Sequence, residues 1–187
     1  ETGYTALWRP KHCDGIRLTS SLTLQPLDGD VICKANLSAG ETADFVLTGA
    51  DETPMALADV AGFEDATIQY WQDWAAQSSY RGRWREIVTR SALTLKLMTS
   101  RRHGSIIAAG TFGLPEAPGG VRNWDYRATW IRDASFTVYA LMRLGYQQEA
   151  QDFTSWIGKR AMRCGANGKL DIMYAVDGST VADEVSL

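Results

Sequence analysis

Residues 122–133 read RNWDYRATWIRD and bring charged and aromatic side chains together in one short stretch. It holds three arginines, two aspartates, two tryptophans and a tyrosine. A tryptophan or tyrosine ring can cover the flat C–H face of a pyranose. A carboxylate can accept hydrogen bonds from two adjacent hydroxyls, and a guanidinium can donate to two oxygens. This composition therefore suits a site that holds one sugar ring.

A purely structural interpretation of the same stretch is equally open. Asp133 could be the N-cap of the helix that follows, a role worth about 1 kcal/mol. Asp125 and Asp133 could form ion pairs with the nearby arginines, and Trp124 and Trp130 could belong to the core. The three arginines concerned are Arg122, Arg127 and Arg132. Residue types alone leave the two interpretations about equal, and periodicity does not separate them.

A second candidate for chemistry is Glu116, which lies in the loop GLPEAPGG at 113–120. A loop carboxylate can act as an acid or a base. Glutamates in such loops are more often solvated or capping, so we expect no catalytic role for Glu116. The sequence assigns no role to the acidic residues near its end, which are Asp177, Asp183 and Glu184.

Composition excludes several classes of partner. Of the 187 residues, 45% are hydrophobic and 22% are charged, and the formal net charge is −3, as in an ordinary globular protein. Lysines and arginines are scattered among acids, which argues against a nucleic-acid partner. No apolar run approaches the roughly 20 residues that a membrane-spanning helix needs. We therefore predict neither a nucleic-acid nor a membrane partner.

The cysteines and histidines do not follow a metal-binding pattern. The three cysteines are widely spaced and fit no zinc or redox motif, and the two histidines are far apart, so we expect no metal site. A reduced, cytoplasmic compartment is the simplest interpretation. The chain begins at Glu1 without a secretory segment and ends at VADEVSL, which suggests an excerpt of a longer protein. The residues concerned are Cys13, Cys33, Cys164, His12 and His103.

The first third of the chain has the pattern of short antiparallel strands. Residues 16–24, 31–37 and 44–50 alternate or cluster apolar residues with period two. Turn residues at 27–30 and 38–40 separate them. Three or four such strands would be half of a β-sandwich.

Beyond residue 64 the period becomes helical. The pattern predicts helices over 67–77, 84–102, about 133–144 and 147–163, and an extended tail at 169–179 that ends in an Asp177-Gly178 turn. Gly104, Gly145 and Gly165 are placed to end helices, and the tight turn at Gly145 predicts a helical hairpin. Strands followed by helices indicate two domains rather than an alternating α/β sheet.

The stretch GLPEAPGGVRNWDYRATWIRDASFTVYALMRLGYQQEAQDFTSWI, residues 113–157, resembles the family-15 glycoside hydrolases, which include glucoamylases, glucodextranases and bacterial trehalases. YRGRWREIVTRSALTLKLM at 80–98 resembles the family's first barrel helix, and TIQYWQDW at 67–74 resembles its linker. The resemblance is close over roughly 64–180 and loose over the strands. It implies the end of an N-terminal β-sandwich at 1–63, a linker helix at 64–83, and the N-terminal part of an (α/α)6 barrel at 84–187.

The resemblance also implies a chemistry, which is inverting hydrolysis of α-glucosidic bonds from the non-reducing end by two glutamates. Both glutamates would lie outside these residues, so we assign no catalytic residue and expect the 187 residues alone to be inactive. Arg132 and Asp133 align with a pair that holds the terminal sugar's hydroxyls, Trp130 with a pocket-lining aromatic, and Tyr126 with the pocket floor. No cofactor or metal is implied.

The resemblance leaves some positions and the exact activity open. It assigns no role to Asn123, Trp124 or Arg127, and Gly113 stands where the family has serine, which leaves that loop's contact with substrate undefined. We expect an exo-acting hydrolase of an α-glucoside, either an oligosaccharide or a disaccharide. The alternatives are a trehalase of the same family and an inactive relative that only binds carbohydrate.

Overall fold

The computed structural model describes residues 3–9, 11, 14–110, 118–120, 124–163 and 169–181. Strands come first and helices follow, as the sequence predicts. The chain divides into two compact units, Glu1–Trp71 and Gln72–Leu187. The finer division at residues 63 and 83 stays a prediction. In the described part of the chain, no helix has both the length and the apolar character needed to cross a membrane.

The first unit is built on a three-stranded antiparallel sheet with the order β1-β2-β5. A separate hairpin joins β3 to β4 through Asp28 and Gly29, whose φ angles are 49° and 88°. Two consecutive positive φ angles are the requirement of a tight hairpin turn, which Asp-Gly meets easily. The turn predicted at 27–30 is therefore confirmed. The strands are β1 Tyr4–Trp8, β2 Ile16–Ser20, β3 Gln25–Leu27, β4 Asp30–Ile32 and β5 Phe45–Gly49.

Two of the predicted strands are shorter than their apolar patterns suggest. β2 ends at Ser20, because the Ser20 side-chain oxygen accepts a hydrogen bond from the Leu22 backbone N–H at 2.9 Å and turns the chain out of the sheet. β4 ends at Ile32, and the rest of 31–37 forms no strand. β1 lies in a region for which the sequence pattern predicts no strand; it pairs with β2 along its whole length.

Four α-helices follow in the described part of the chain. Helix α1 begins at Val60, earlier than the predicted 67, and α2 ends at Leu97, earlier than the predicted 102. The chain turns after α2 because Ser100 N–H donates to the Ser105 carbonyl at 2.8 Å and Thr99 forms a bridge with Ile106. The bounds are α1 Val60–Ala76, α2 Arg85–Leu97, α3 Ile131–Leu144 and α4 Gln147–Ala161, with two short strands, β6 Thr129–Trp130 and β7 Met173–Tyr174.

The core of the second unit joins α3 and α4 to the segments that precede and follow them. Large aromatic side chains dominate it, and Trp156 stacks near Phe153 with ring centroids 5.7 Å apart. Trp156 also meets Tyr174 of β7 edge-on at 5.9 Å. β7 is thus packed directly on α4. The buried cluster consists of Ile106, Ala134, Phe153, Trp156 and Tyr174.

The helical hairpin predicted at Gly145 is confirmed. Gly145 has φ +100°, a conformation that favours glycine, and ends α3. Tyr146, which is fully buried, donates its backbone N–H to the Leu141 carbonyl at 3.0 Å. Its ring stacks on Trp74 with centroids 3.9 Å apart and planes 6° from parallel. The turn therefore brings α3 and α4 together and fixes them to the end of α1.

A buried ion pair lies beside this stack. The Lys96 ammonium contacts Glu149 Oε1 at 2.7 Å, and Trp74 Nε1–H donates to the same oxygen at 2.8 Å. The Glu149 side chain is only 4% exposed. Burial raises the pKa of its carboxyl, but the hydrogen bonds from Lys96 and Trp74 outweigh burial and hold the pKa below its ordinary value. Glu149 is thus ionised and joins α1, α2 and α4.

The Glu149 ion pair predicts an acid-sensitive contribution to stability. The pKa is lower in the folded state, so the contribution is full above the unfolded pKa of about 4.3 and is lost as pH falls through the folded value. Glu149→Gln should lower the Tm at pH 7, because it leaves a largely buried ammonium without a counter-charge. The Tm difference between wild type and this variant should shrink from pH 7 to pH 3.5 in calorimetry of the intact protein.

The control is Glu86→Gln, which changes an exposed carboxylate of α2. A Tm difference for Glu149→Gln that stays constant between the two pH values would contradict the ion pair between Glu149 and Lys96.

Candidate functional site

The segment 124–133 is held by backbone hydrogen bonds on both sides. On one side Ala108 N–H donates to the Ala128 carbonyl at 3.1 Å, and Ala109 N–H donates to the Tyr126 carbonyl at 2.8 Å. On the other side β6 pairs antiparallel with β7, with Trp130 opposite Met173. Most of the aromatic and charged side chains of the motif therefore sit on a fixed backbone. Arg122 and Asn123, at its beginning, lie outside the described residues.

Helix α3 begins at Ile131, two residues earlier than the sequence pattern predicts. Trp130 occupies the N-cap position with extended backbone angles, φ −81° and ψ 121°, and makes no side-chain cap. Asp133 is therefore the third residue of the helix, and the interpretation of Asp133 as the N-cap is wrong. A carboxylate in the first turn is still stabilised by the free N–H groups and the helix dipole.

Arg132 and Asp133 form an accessible pair at this helix start. Arg132 Nη2 lies 3.2 Å from Asp133 Oδ2, and the two side chains are 75% and 37% exposed. Asp133 Oδ2 itself is buried, and among the described residues it accepts no hydrogen bond beyond this ion-pair contact. A part-exposed carboxyl beside an exposed guanidinium can accept hydrogen bonds from the hydroxyl groups of a ligand.

The aromatic residues of the motif form a cluster around Trp130. Tyr126 stacks on Trp130 with centroids 6.1 Å apart and planes 26° from parallel, and Trp124 meets it edge-on at 6.0 Å. Trp130 Nε1–H donates to the Asp125 carbonyl at 3.2 Å, which fixes the orientation of the indole. Trp124 is 44% exposed, so its assignment to the core is wrong, while Trp130 and Tyr126 are half-buried.

The structural interpretation is confirmed for the other aspartate of the motif. The Asp125 carboxylate accepts from the Arg127 side chain through both oxygens, at 3.0 and 2.8 Å, and from the Arg127 backbone N–H at 2.9 Å. The hydrogen bond from the Arg127 guanidinium is the main reason that the pKa of Asp125 lies below its ordinary value. Both aspartates thus form an ion pair with a neighbouring arginine, but they differ in its strength: Asp125 is held by hydrogen bonds through both oxygens, whereas Asp133 makes one 3.2 Å contact with Arg132 among the described residues.

Thr129 is a feature that the sequence analysis does not single out. Its side chain is fully buried in β6, and its hydroxyl makes no hydrogen bond within the part of the chain that the structure describes. Threonine is common in strands for its shape alone, so no sequence signal marks this position. It lies one residue before Trp130 in β6.

Other candidates are only partly covered by the structure. Gly113, Glu116, His12, Cys13 and Cys164 lie outside the described residues, and Cys33 is a free thiol. Asp177 accepts hydrogen bonds from the backbone N–H and hydroxyl of Ser179 and shapes a turn. Within the described ranges, no group of three or more metal-ligating side chains could hold a metal ion.

Comparison with known proteins gives the family. The profile of "Glycosyl hydrolases family 15" matches residues 82–187, which is more than half of the chain. The chain therefore belongs to family 15 of the glycosyl hydrolases. No solved structure matches it.

Curated relatives refine the comparison. A trehalase of Mycolicibacterium smegmatis is 34% identical over 91% of the chain, and one of Mycobacterium tuberculosis is 34% identical over 92%, each aligned over 26% of its own length. A trehalase of Thermoplasma volcanium is 42% identical over 63% of the chain and 18% of its own length. The chain thus spans between about a fifth and about a quarter of the length of these three relatives.

The unpartnered hydroxyl of Thr129 generates a stability prediction. A buried hydroxyl without a hydrogen bond costs about 1–3 kcal/mol. Thr129→Val keeps the shape and removes that hydroxyl, so the free energy of unfolding should stay equal or rise. Thr129→Ser, the control, keeps the hydroxyl and loses the methyl group, so it should be less stable than wild type. Denaturant titration of the intact protein measures both. A loss of more than about 1 kcal/mol in Thr129→Val would mean that the hydroxyl has a partner.

Proposed function

We propose that the protein is a trehalase-type glycoside hydrolase that cleaves the α-glucosidic bond of trehalose. The mycobacterial and Thermoplasma relatives are named trehalases, and the mycobacterial ones align with nearly the whole chain. Family membership by itself agrees with any family-15 activity. The relatives favour the trehalase alternative over the glucoamylase-like activity that the sequence analysis places first.

The observation that carries the site assignment is the Arg132–Asp133 pair at the start of α3. A pair sealed in the interior and satisfied by protein groups could not bind a ligand. Here the Arg132 and Asp133 side chains are 75% and 37% exposed, so solvent reaches both of them. These facts support a role in binding over a purely structural one.

In this proposal each residue has one task in holding a terminal glucose. Trp130 and Tyr126 offer ring faces to the C–H face of the pyranose. Asp133 accepts hydrogen bonds from adjacent hydroxyls while Arg132 donates to their oxygens. A substrate that lacks one of these hydroxyls would leave a polar group unpaired, so such a site discriminates strongly between sugars.

Bond cleavage would require two catalytic carboxyl groups, to which we assign no residue of this chain. Inverting hydrolysis uses two carboxyl groups about 6.5–9.5 Å apart, one protonating the leaving oxygen and the other activating water. We propose that two glutamates outside these 187 residues supply them, within an (α/α)6 barrel of which the helices from α2 onward form the beginning. The strands of the first unit would then belong to a β-sandwich domain.

The test is Asp133→Ala in the intact enzyme, assayed on trehalose and on maltose. Interactions with the terminal ring act in the transition state, so kcat/KM for trehalose should fall at least about 100-fold. The wild type should prefer trehalose to maltose. Asp152→Asn, which changes an exposed carboxylate of α4 bonded only to Gln148 among the described contacts, is the control and should keep its activity.

Three results would change the proposal. Unchanged kcat/KM in Asp133→Ala on both sugars would remove Asp133 from the site. A wild-type preference for maltose would favour a glucoamylase-like hydrolase. Binding of trehalose by the wild type without hydrolysis, measured by calorimetry, would identify an inactive carbohydrate-binding relative.

A further inference from the structure

Arg160 is a buried cation whose described hydrogen bonds all go to backbone carbonyls, with the Asp177 carboxylate close enough to interact with it electrostatically. It lies in the last turn of α4 and is 8% exposed. Its guanidinium donates to three backbone carbonyls: Trp156 at 2.9 Å, Asp177, and Gly178 at 3.4 Å. It also lies over the Trp156 ring, 4.5 Å from the centroid. Burying a guanidinium costs free energy unless hydrogen bonds compensate for the lost hydration. Arg160 and these three carbonyls therefore fix each other's positions.

The turn that Arg160 contacts is shaped to receive it. Gly178 has φ +85°, and its N–H donates to the Ala175 carbonyl at 2.8 Å. A Cβ at position 178 would overlap the Arg160 guanidinium. The guanidinium therefore packs directly on the glycine, and a side chain at 178 would displace it.

This turn is continuous with the strand that supports the sugar-binding candidates. Val176, between β7 and the turn, accepts from Trp156 Nε1–H at 3.2 Å and from the Ser105 hydroxyl at 2.7 Å. β7 then pairs with β6, where Met173 lies opposite Trp130. Beyond the ladder, Ile131 N–H donates to the Ile172 carbonyl at 3.1 Å. An unbroken set of contacts runs from Arg160 to the first turn of α3.

We propose that Arg160 is a positioning residue for the sugar site. It fixes the 177–178 turn, the turn fixes β7, and β7 fixes Trp130 and the helix start that carries Arg132 and Asp133. Arg160 itself touches no substrate. This inference rests on the proposed function, because the residues that it positions are those assigned to the terminal glucose.

The kinetic test compares Arg160→Met with Arg160→Lys in the intact enzyme. A displacement of about 1 Å at the site can lower the rate about 100-fold. Arg160→Met should therefore lose between about 10-fold and 100-fold in kcat on trehalose, with KM changing much less. Arg160→Lys should recover part of the loss, because an ammonium can donate to one or two carbonyls but lacks the planar fork. Gly178→Ala should reproduce the Arg160→Met defect by displacing the guanidinium.

The matched control is Lys96→Met, which removes the other largely buried cation, the partner of Glu149. It should lower the Tm as Arg160→Met does, yet keep kcat and KM within about twofold, because its contacts lie at the opposite end of the α3–α4 hairpin. All variants are assayed at a temperature where circular dichroism shows each of them folded. Equal kinetic losses in Lys96→Met and Arg160→Met would overturn the positioning role.

Hydrogen exchange supplies a readout that does not depend on activity. In Arg160→Met, amides of 128–132 and 172–176 should exchange faster than in wild type, while those of α2 should not. Unchanged exchange in these segments overturns the inference. So does an unchanged kcat in Arg160→Met when Asp133→Ala is inactive. If exchange rises in these segments but neither Arg160→Met nor Asp133→Ala affects hydrolysis, Arg160 still positions the β6–β7 ladder, and the proposed sugar site is wrong.

Discussion

Backbone pairing between β6 and β7 decides where α3 begins. Because Trp130 takes part in this short ladder, its backbone is extended, and the helix can start only at the next residue. Arg132 and Asp133 then fall in the first helical turn, where free N–H groups and the helix dipole favour a carboxylate. The same pairing, with the hydrogen bond from Trp130 Nε1–H to Asp125, sets the orientation of the indole. The positions of Trp130, Arg132 and Asp133 in the candidate site therefore follow from this junction between β6 and α3.

The two ends of the α3–α4 hairpin are secured by buried cations in different chemical settings. Near the start of α4, Lys96 is paired with the Glu149 carboxylate, which Trp74 also contacts. At the end of α4, the hydrogen bonds of Arg160 go to backbone carbonyls, its guanidinium lies over the Trp156 ring, and the Asp177 carboxylate adds an electrostatic attraction. The first arrangement depends on charge and therefore on pH. The second depends on the planar guanidinium and on the close approach that Gly178 permits.

Within the motif, chemically identical residues have different surroundings. Asp125 is bound by Arg127 through both oxygens, whereas Asp133 keeps an oxygen without a hydrogen bond. Sequence analysis could place both aspartates beside arginines, but it could not say which pair is satisfied. That depends on the turn at 125–128, where the Arg127 backbone and side chain both reach the Asp125 carboxylate. The burial of the Thr129 hydroxyl could not be predicted for a related reason, because Thr129 lies in β6, which pairs with the distant strand β7.

The sequence by itself determined the features that depend on near neighbours. These are the Asp28-Gly29 hairpin, the left-handed stop at Gly145, the change from strand to helical period, and the concentration of rings and charges at 124–133 that marks the family. Only the tertiary structure decided the first residue of α3, the closer hydrogen bonding of Asp125 than of Asp133, and the burial of Arg160 against a turn 17 residues away. Local backbone preferences depend on residues only a few positions apart, so they can be predicted from the sequence. Strand pairing and side-chain burial depend on which distant segments meet, and that is established only when the chain is folded.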